Sequence, residues 1–491
     1  MAQDIYSILD QARKEDGEGN VPSALVKYRL FLKYEAGDAQ AWADYAGCLL
    51  AAGRQEDSVK ACNAALGISP GMEPALVNKA AALVGLGRFS DAKDIYGSLL
   101  ASRPGRVDIA MEMQKCMYTM GDVEAMEPSL LEILAAEPGR LDALSLLAAV
   151  YAARKDWGKF EARSLEYLAA KFTGQDLLCE TAKLLVRMGR FGECLRVAKN
   201  RPSDRKDSGA AGPLWGGEPF PGRTLLLHWE QGFGDSIMML RYGSLAKELG
   251  GTVVLCIQPA LLELARTCPG FDAVVAGVPD GLKYDLQLPL MSLPFVLVGT
   301  DTAPAPARVP YLRVPDNVKN RGPIQERLRV AASRRKIGLV WAGSGNYGHD
   351  HIRSVPPGEL WPLAECRGAA WFCLQREAPG FAPFEGATPM GDLMETFADT
   401  ALLLDSMDEV LTVDTSTAHL AGALGKPTHL MLPFRGEWRW LEERTDSPWY
   451  PPLRIHRRAC GGSWTDLLRR TPLAEATYTN PCGARGNDGS K

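Results

Sequence analysis

A glycine recurs every 34 residues through the first part of this chain, at Gly19, Gly53, Gly87, Gly121 and Gly189, with Lys155 in the one remaining slot. Prolines follow a parallel grid at Pro70, Pro104 and Pro138. A period of 34 with a turn residue inside the unit and a breaker at its end reads as helix, turn, helix, break, in about six copies. One such hairpin has too little partner surface to bury its apolar face. Neighbouring hairpins must therefore stack into a superhelix with a long concave groove. Within a unit the apolar residues sit three and four apart, as interlocking helices require. In the second copy these are Trp42, Tyr45, Ala46 and Leu49, then Cys62 and Ala65; in the third, Leu76, Ala80 and Leu83, then Ala92, Tyr96 and Leu99. Ala12, Ala24 and Tyr28 match them in the first copy, and Trp157, Phe160, Ala182, Leu185 and Phe191 keep the rhythm in the last two.

This arrangement is the tetratricopeptide pattern, and grooves of that kind hold polypeptides. The expected partner of the repeats is an acceptor or adaptor polypeptide lying in the groove. The repeats end near Lys199. The stretch 200–221, rich in Pro, Gly, Ser and charge, reads as a linker. Beyond it the period changes. Short apolar runs at Thr224–Trp229, Thr252–Ile257, Ala273–Val275 and Asp285–Leu288, with a helical stretch over Ser236–Leu249, predict the opening of a parallel α/β sheet. A second series has runs at Lys336–Trp341, Ala370–Leu374, Glu409–Val413 and Thr428–Leu432. Pro304–Gly322 reads as the crossing between them. The expected organisation is a repeat superhelix over 1–199, a linker over 200–221, Rossmann-like halves over 222–315 and 316–476, and a flexible tail over 477–491.

Composition narrows the function classes. The formal charge of −4, with 23% charged residues, gives no electrostatic reason to expect nucleic-acid binding. No apolar run is long enough for a transmembrane segment, and the polar N-terminus does not read as a signal peptide. Eleven cysteines without a Cys-x-x-Cys pair fit free thiols in a cytoplasmic protein.

Three constellations could carry chemistry. Glu230-Gln231-Gly232-Phe233-Gly234-Asp235 joins a strand to a helix, where glycines admit a ligand and Asp235 sits at the helix start. The same aspartate could serve as a helix cap. The third glycine of a dinucleotide fingerprint is missing, since Ile237 stands there. Asp414-Thr415-Ser416-Thr417-Ala418-His419 again runs from strand into helix. Hydroxyls and amide N–H groups at a helix start make an anion site suited to a nucleotide-sugar diphosphate. His419, one turn along, could add a donor or simply pack. Trp341-Ala342-Gly343-Ser344-Gly345-Asn346, followed by Arg353, combines a flexible turn with a guanidinium suited to phosphate, and Gln375 closes the next strand at the same rim. His349-Asp350-His351 has no partner cluster that would make it a metal site. Asp-x-Asp is absent, so a metal-clamped nucleotide sugar is not indicated, and no cofactor is expected beyond a nucleotide-sugar co-substrate.

The Glu-Gln-Gly-Phe-Gly-Asp and Trp-Ala-Gly-Ser-Gly-Asn turns, the run from Val413 to Pro427, and the Trp438–Trp440 and Asp446–Pro451 segments resemble glycosyltransferase family 9 over roughly Pro221–Arg470. The likeness is greater to its bacterial members with N-terminal tetratricopeptide repeats. That family includes the ADP-heptose:lipopolysaccharide heptosyltransferases. The resemblance implies a metal-independent GT-B fold with the acceptor on the first half and the sugar nucleotide on the second. By analogy Asp235 would be the general base, with Glu230, Gln231, Gly232 and Gly234 in the acceptor-side loop. The donor would be held by Gly343, Ser344, Asn346, Arg353, Gln375, Asp414, Thr415, Ser416, Thr417 and His419. Heptosyltransferases usually carry glycine where Ser416 stands, so the sugar and the base stay open. The expected activity is glycosyl transfer to a protein or glycan hydroxyl. A non-catalytic scaffold with a degenerate GT-B domain and a sugar-nucleotide epimerase are the alternatives. Trp438, Arg439 and Trp440 either pack on the donor site or brace the two halves.

Overall fold

The computed structural model describes residues 2–475 except 191–192, 195–209, 211, 280, 298–308, 345–349, 367 and 435. The chain divides into two compact units, Met1–Lys171 and Phe172–Lys491. Phe191, Asn346, His349 and the expected tail lie outside the described residues.

The first unit consists of helical hairpins: α1 (Ala2–Gly17) with α2 (Val21–Tyr34), α3 (Ala39–Ala51) with α4 (Gln55–Ile68), α5 (Glu73–Gly85) with α6 (Phe89–Ser102), α7 (Val107–Met120) with α8 (Met126–Ala136), and α9 (Leu141–Ala153) with α10 (Trp157–Lys171). The 34-residue grid marks where the first helix of each hairpin stops. Gly19, Gly53, Gly87 and Gly121 have φ between +71° and +80°, and Lys155, the exception in sequence, adopts the same left-handed conformation at φ +59°. Each stop is the same pair of hydrogen bonds. In the third copy Gly87 N donates to Val84 O (2.9 Å) and Arg88 N to Leu83 O (2.8 Å); in the fifth, Lys155 N donates to Ala152 O (3.1 Å) and Asp156 N to Tyr151 O (2.9 Å). This double bond satisfies the last carbonyls of the helix and turns the chain. Small residues then let helices approach: Ala12, Ala24, Ala46, Ala65 and Ala80 are fully buried, and Tyr28, Leu49, Leu83 and Tyr96 fill the spaces between hairpins. Trp42, Tyr45 and Leu76 are only partly covered.

The second unit opens with α11 (Gly174–Arg187), which ends at Gly189 in the same left-handed turn. In sequence α11 starts the sixth repeat, yet it belongs to the α/β unit. Ala182, Leu185 and Val186 pack in one core with Trp215, Trp440 and Trp449. The expected linker is also partly built in. Trp215 N donates to Gln287 O (3.0 Å) and Gln287 N to Pro213 O (2.9 Å). Trp215 and Phe220 are buried and meet edge to face at 5.3 Å. Two large aromatic side chains outweigh the loop-like composition around them.

Two wholly parallel sheets follow. The first has the order β3-β2-β1-β4, from β1 (Thr224–His228), β2 (Thr252–Ile257), β3 (Ala273–Ala276) and β4 (Leu286–Pro289). Between β1 and β2 lies helix α12 (Phe233–Met239). The second has the order β10-β9-β8-β5-β6-β7, from β5 (Arg335–Val340), β6 (Ala369–Cys373), β7 (Thr388–Pro389), β8 (Glu409–Val413), β9 (Thr428–Leu432) and β10 (Leu453–Arg457). Helix α13 (Phe397–Asp405) precedes β8, and α14 (Ser416–Ala423) joins β8 to β9. Every strand expected from the sequence is present with its ends moved by at most one residue; β7 and β10 are additional. The strand order reverses beside β1 in the first sheet and beside β5 in the second. Such reversal points leave a crevice at the carboxyl ends of the strands. The three sequence constellations follow β1, β5 and β8, the strands that flank these crevices.

No described helix is long and apolar enough to cross a membrane. The described cysteines are free thiols, and among the described residues no His/Cys/Asp/Glu group could hold a metal ion.

Candidate functional site

A cleft of about 940 Å³ lies in the second unit between the carboxyl ends of the two sheets. It is lined by Gln231–Asp235 after β1, Gly343, Ser344 and Arg353 after β5, Gln375 after β6, Asp414–Thr417 and His419 after β8, and Glu437–Arg439. The described residues expected as general base, donor site and acceptor-side loop thus share one space, except Glu230, which is buried and does not line the cleft.

On the first-sheet side, Gln258 at the end of β2 holds the loop. Its amide nitrogen donates to Gln231 O (2.8 Å) and its oxygen accepts from Ser236 Oγ (2.8 Å). This presents Asp235 in the first turn of α12. Gly234 is required by its neighbour: a Cβ there would lie 2.7 Å from His419 Cδ2. The two helix starts, α12 and α14, therefore meet almost backbone to ring.

On the second-sheet side, Gln375 is a clamp. Its oxygen accepts from Ala342 N (3.1 Å), while its nitrogen donates to Ala342 O (3.1 Å) and Glu377 Oε2 (2.9 Å). Gly343 makes room for the next layer, since a Cβ would fall 2.2 Å from both Arg353 Nη2 and Asp350 Oδ1. Arg353 Nε donates to Asp350 Oδ1 (2.9 Å) and Nη1 to Asp414 O (2.8 Å), and Ser354 Oγ donates to Asp350 Oδ2 (2.8 Å). Asp350, part of the His-Asp-His triplet, thus serves to orient Arg353. At the start of α14, Thr415 caps the helix by accepting from Thr417 N (3.3 Å). Its hydroxyl is therefore already engaged. Ser416 and Thr417 follow it along the cleft wall.

His419 is buried and stacks on Trp440 at 5.1 Å, with Nδ1 sharing a 3.0 Å hydrogen bond with the Tyr450 hydroxyl. Burial, together with the nearby positive charges of Arg439 and Arg241, pushes its pKa down to about 3. The ring is neutral at physiological pH and contributes dipole and shape, not charge. Burial acts the other way on Asp414, raising its pKa to about 6 despite Arg439.

Three further groups complete the site: Arg439, which the sequence leaves between packing on the donor site and bracing the two halves, and Arg241 and Tyr450, to which it gives no role. Arg439 Nε donates to Asp235 Oδ1 (3.0 Å), a second bond runs from Nη2 to the same oxygen, and the guanidinium stacks over Trp438 at 4.7 Å. Burial opposes the Arg439 charge, but Asp235, Glu437 and Asp414 more than restore it and raise its pKa. Arg241, almost fully buried, donates to Met238 O (2.9 Å), Trp449 O (2.6 Å) and the Tyr311 hydroxyl (3.2 Å), and lies over the rings of Tyr450 (4.7 Å) and Tyr311 (4.9 Å). Tyr450 itself fits because Gly422 has no side chain; a Cβ there would sit 2.4 Å from the ring. Arg439 and Tyr450 lie in segments that the sequence marks, but their partners Asp235 and Arg241 are about 200 residues away, so no local pattern announces the pairings.

No protein-family profile matches the chain. Protein FlbA of Caulobacter vibrioides is 26% identical over 370 residues, which is 66% of this chain and 59% of FlbA. The chain thus spans well under two thirds of that relative's length. Among solved structures, a tetratricopeptide repeat protein from Parabacteroides merdae has a TM-score of 0.36 at 14% identity, over 41% of this chain and 81% of its own. PilW, a type IV pilus biogenesis factor, has a TM-score of 0.33 at 19% identity, over 40% of this chain and 89% of its own.

Proposed function

We propose that the second unit is a metal-independent glycosyltransferase of GT-B type, moving a sugar from a nucleotide-sugar donor to a hydroxyl of a polypeptide that the helical repeats recruit. The observation that carries the reading is the meeting of Asp235, the hydroxyl-capped start of α14 and two arginines around one cleft at the carboxyl ends of two parallel sheets. A carboxylate and an anion-binding wall facing each other are what transfer from a diphosphate leaving group needs. Asp235 would take the proton of the acceptor hydroxyl, a role typically worth 10²–10⁴-fold in rate. The start of α14, with Arg353 held beside it by Asp350, would stabilise the departing nucleoside diphosphate. Enclosure between the two sheets would keep water from the donor.

One observation favours a second reading, a scaffold without turnover: the Asp235 carboxylate is already engaged by Arg439. The two readings separate in a single assay. Sugar nucleotides are screened by thermal shift, and release of nucleoside diphosphate is then followed with and without an acceptor-protein fraction. A ligand at 100 times its Kd adds about 2.7 kcal/mol of stability. A stabilising donor with acceptor-dependent release, lost in Asp235→Asn, supports transfer. Stabilisation by no nucleotide at all overturns it in favour of the scaffold.

A further inference from the structure

The carboxylate best placed to act as a base is held by a guanidinium in the same cleft. Asp235 Oδ1 takes two N–H groups of Arg439, and both side chains are nearly withdrawn from solvent, at 12% and 13% exposure. A carboxylate oxygen already occupied by two charge-assisted hydrogen bonds is not free to receive an acceptor hydroxyl. Arg439 has further reach. Its Nη1 lies 3.6 Å from Glu437 Oε2, its face rests on Trp438, and it lines the cleft wall together with Asp414–Thr417. A diphosphate at that wall would present more charge and more acceptor oxygens than one carboxylate, in the geometry a guanidinium fork prefers.

We propose that Arg439 is a diphosphate-binding residue that holds Asp235 until the donor arrives, then transfers its hydrogen bonds to the donor phosphates and releases Asp235 for the acceptor. This rests on the glycosyl-transfer reading above and adds an order of events to it. With the donor bound, the freed Asp235 oxygen takes the proton of the acceptor hydroxyl as that oxygen bonds to the anomeric carbon. The bond from that carbon to the phosphate oxygen breaks, and its electron pair leaves with the nucleoside diphosphate, whose added negative charge lies against Arg439 and the start of α14. As the nucleoside diphosphate departs, Asp235 gives up its proton to solvent and Arg439 returns to the ionised carboxylate. The base is therefore available only when a donor is in place, and an acceptor hydroxyl is not activated in the empty cleft.

The test is calorimetric titration of the full chain with inorganic pyrophosphate and with a panel of nucleoside diphosphates, for wild type, Asp235→Asn, Arg439→Gln and Arg439→Lys. Breaking charge-assisted bonds to the ligand should weaken binding about tenfold or more in Arg439→Gln, with Arg439→Lys in between. Asp235→Asn should tighten binding about tenfold, because Arg439 no longer has to be withdrawn from a carboxylate. A pair that merely braced the two sheets would never give opposite signs for its two members. Asp235→Asn is nearly isosteric and carries the test even where an arginine variant melts early. Binding to wild type with no tightening in Asp235→Asn overturns the exchange and leaves the transferase reading standing. No binding of pyrophosphate or any nucleoside diphosphate to wild type or Asp235→Asn overturns both.

Discussion

Lys155 provides a measurement of what the 34-residue glycine grid is for. It occupies the left-handed position that Gly19, Gly53, Gly87 and Gly121 fill in the other hairpins, at φ +59° against +71° to +80°. A side chain there crowds its own backbone, at about 1–2 kcal/mol. Glycine avoids that cost but loses about 0.4–1 kcal/mol through its greater freedom in the unfolded chain. Lys155→Gly should therefore stabilise the fifth hairpin by about 0.5–1 kcal/mol, and Gly87→Ala should destabilise the third by a similar amount. Gly87 is a clean reference because an added Cβ would meet nothing within 4 Å, so its loss is purely one of backbone conformation. Hydrogen exchange read by mass spectrometry on the full chain gives the opening free energy of peptides from α5–α6 and α9–α10 separately. An unchanged or faster exchange around Lys155→Gly, with Gly87→Ala destabilising as expected, would refute the claim that backbone conformation alone defines the slot.

At the cleft, Gly234→Ala places a methyl 2.7 Å from a ring fixed by Trp440 and Tyr450. Overpacking of this kind costs about 1–3 kcal/mol, and urea denaturation with no loss would mean the two helix starts are free to separate. Arg241→Lys can serve only part of the set formed by Met238 O, Trp449 O and the Tyr311 hydroxyl, and should lower stability by about 2 kcal/mol in the same assay; wild-type stability would show that the aromatic rings alone suffice. Acid sensitivity follows from His419 and His456, whose folded pKa values of about 3 and 4 lie below the ordinary 6.5, both chiefly through burial. Their stabilisation is fully present above pH 6.5 and is lost as pH falls, at about 1.4 kcal/mol per unit each. Asp414, raised to about 6 from 3.8, acts oppositely: its contribution is present below 3.8 and lost as pH rises through 6. Denaturation at pH 7 and pH 5 should therefore show a net loss of about 2–3 kcal/mol at the lower pH, smaller in His456→Asn; equal stability at the two values would contradict the assignment.

The sequence was informative where structure is local. A left-handed turn every 34 residues, and apolar runs bounded by glycine, depend on neighbours along the chain, and both appear where the pattern puts them. β10 escaped notice because Arg454, His456 and Arg457, three polar residues of five, make the segment read as surface, which an edge strand with one covered face can afford to be. The unit boundary escaped for another reason. Periodicity says where α11 turns, but not which surface buries Leu185 and Val186; that surface is the Trp440 and Trp449 core rather than another hairpin. In the cleft, Asp235 and the hydroxyls after Asp414 were visible as strand-to-helix turns. The pairing of Asp235 with Arg439, 204 residues away, was not, because only the folding of both sheets brings them together.

The segment that carries Arg439 is itself under strain. Leu441 has φ +51° and ψ 177°, a region that only glycine enters freely, and Glu443 follows at φ +54°. Such conformations cost about 1–3 kcal/mol each and persist where surroundings over-determine them. The surroundings here are explicit: Glu442 N donates to Arg187 O at the end of α11 (3.0 Å), the Glu442 and Arg187 side chains are ion-paired, and Arg457 Nη2 donates to Trp440 O (2.9 Å). The Leu441 side chain is buried against Gly189 of the α11 turn. Two truncations separate strain from burial. Leu441→Ala loses the buried side chain, about 2–3 kcal/mol, and keeps the disfavoured φ. Leu441→Gly loses the same burial and the last methyl but relaxes the backbone. In an ordinary loop or helix the glycine variant is the weaker by about 0.5–1 kcal/mol; here it should be the stronger by about 1 kcal/mol in urea denaturation. Glycine weaker than alanine would mean that the backbone of this turn is at ease, and that α11 and Arg457 do not hold Arg439 against any resisting force. The expected order would mean that strain is stored at Leu441, two residues beyond the Arg439 that is proposed to change partner at Asp235.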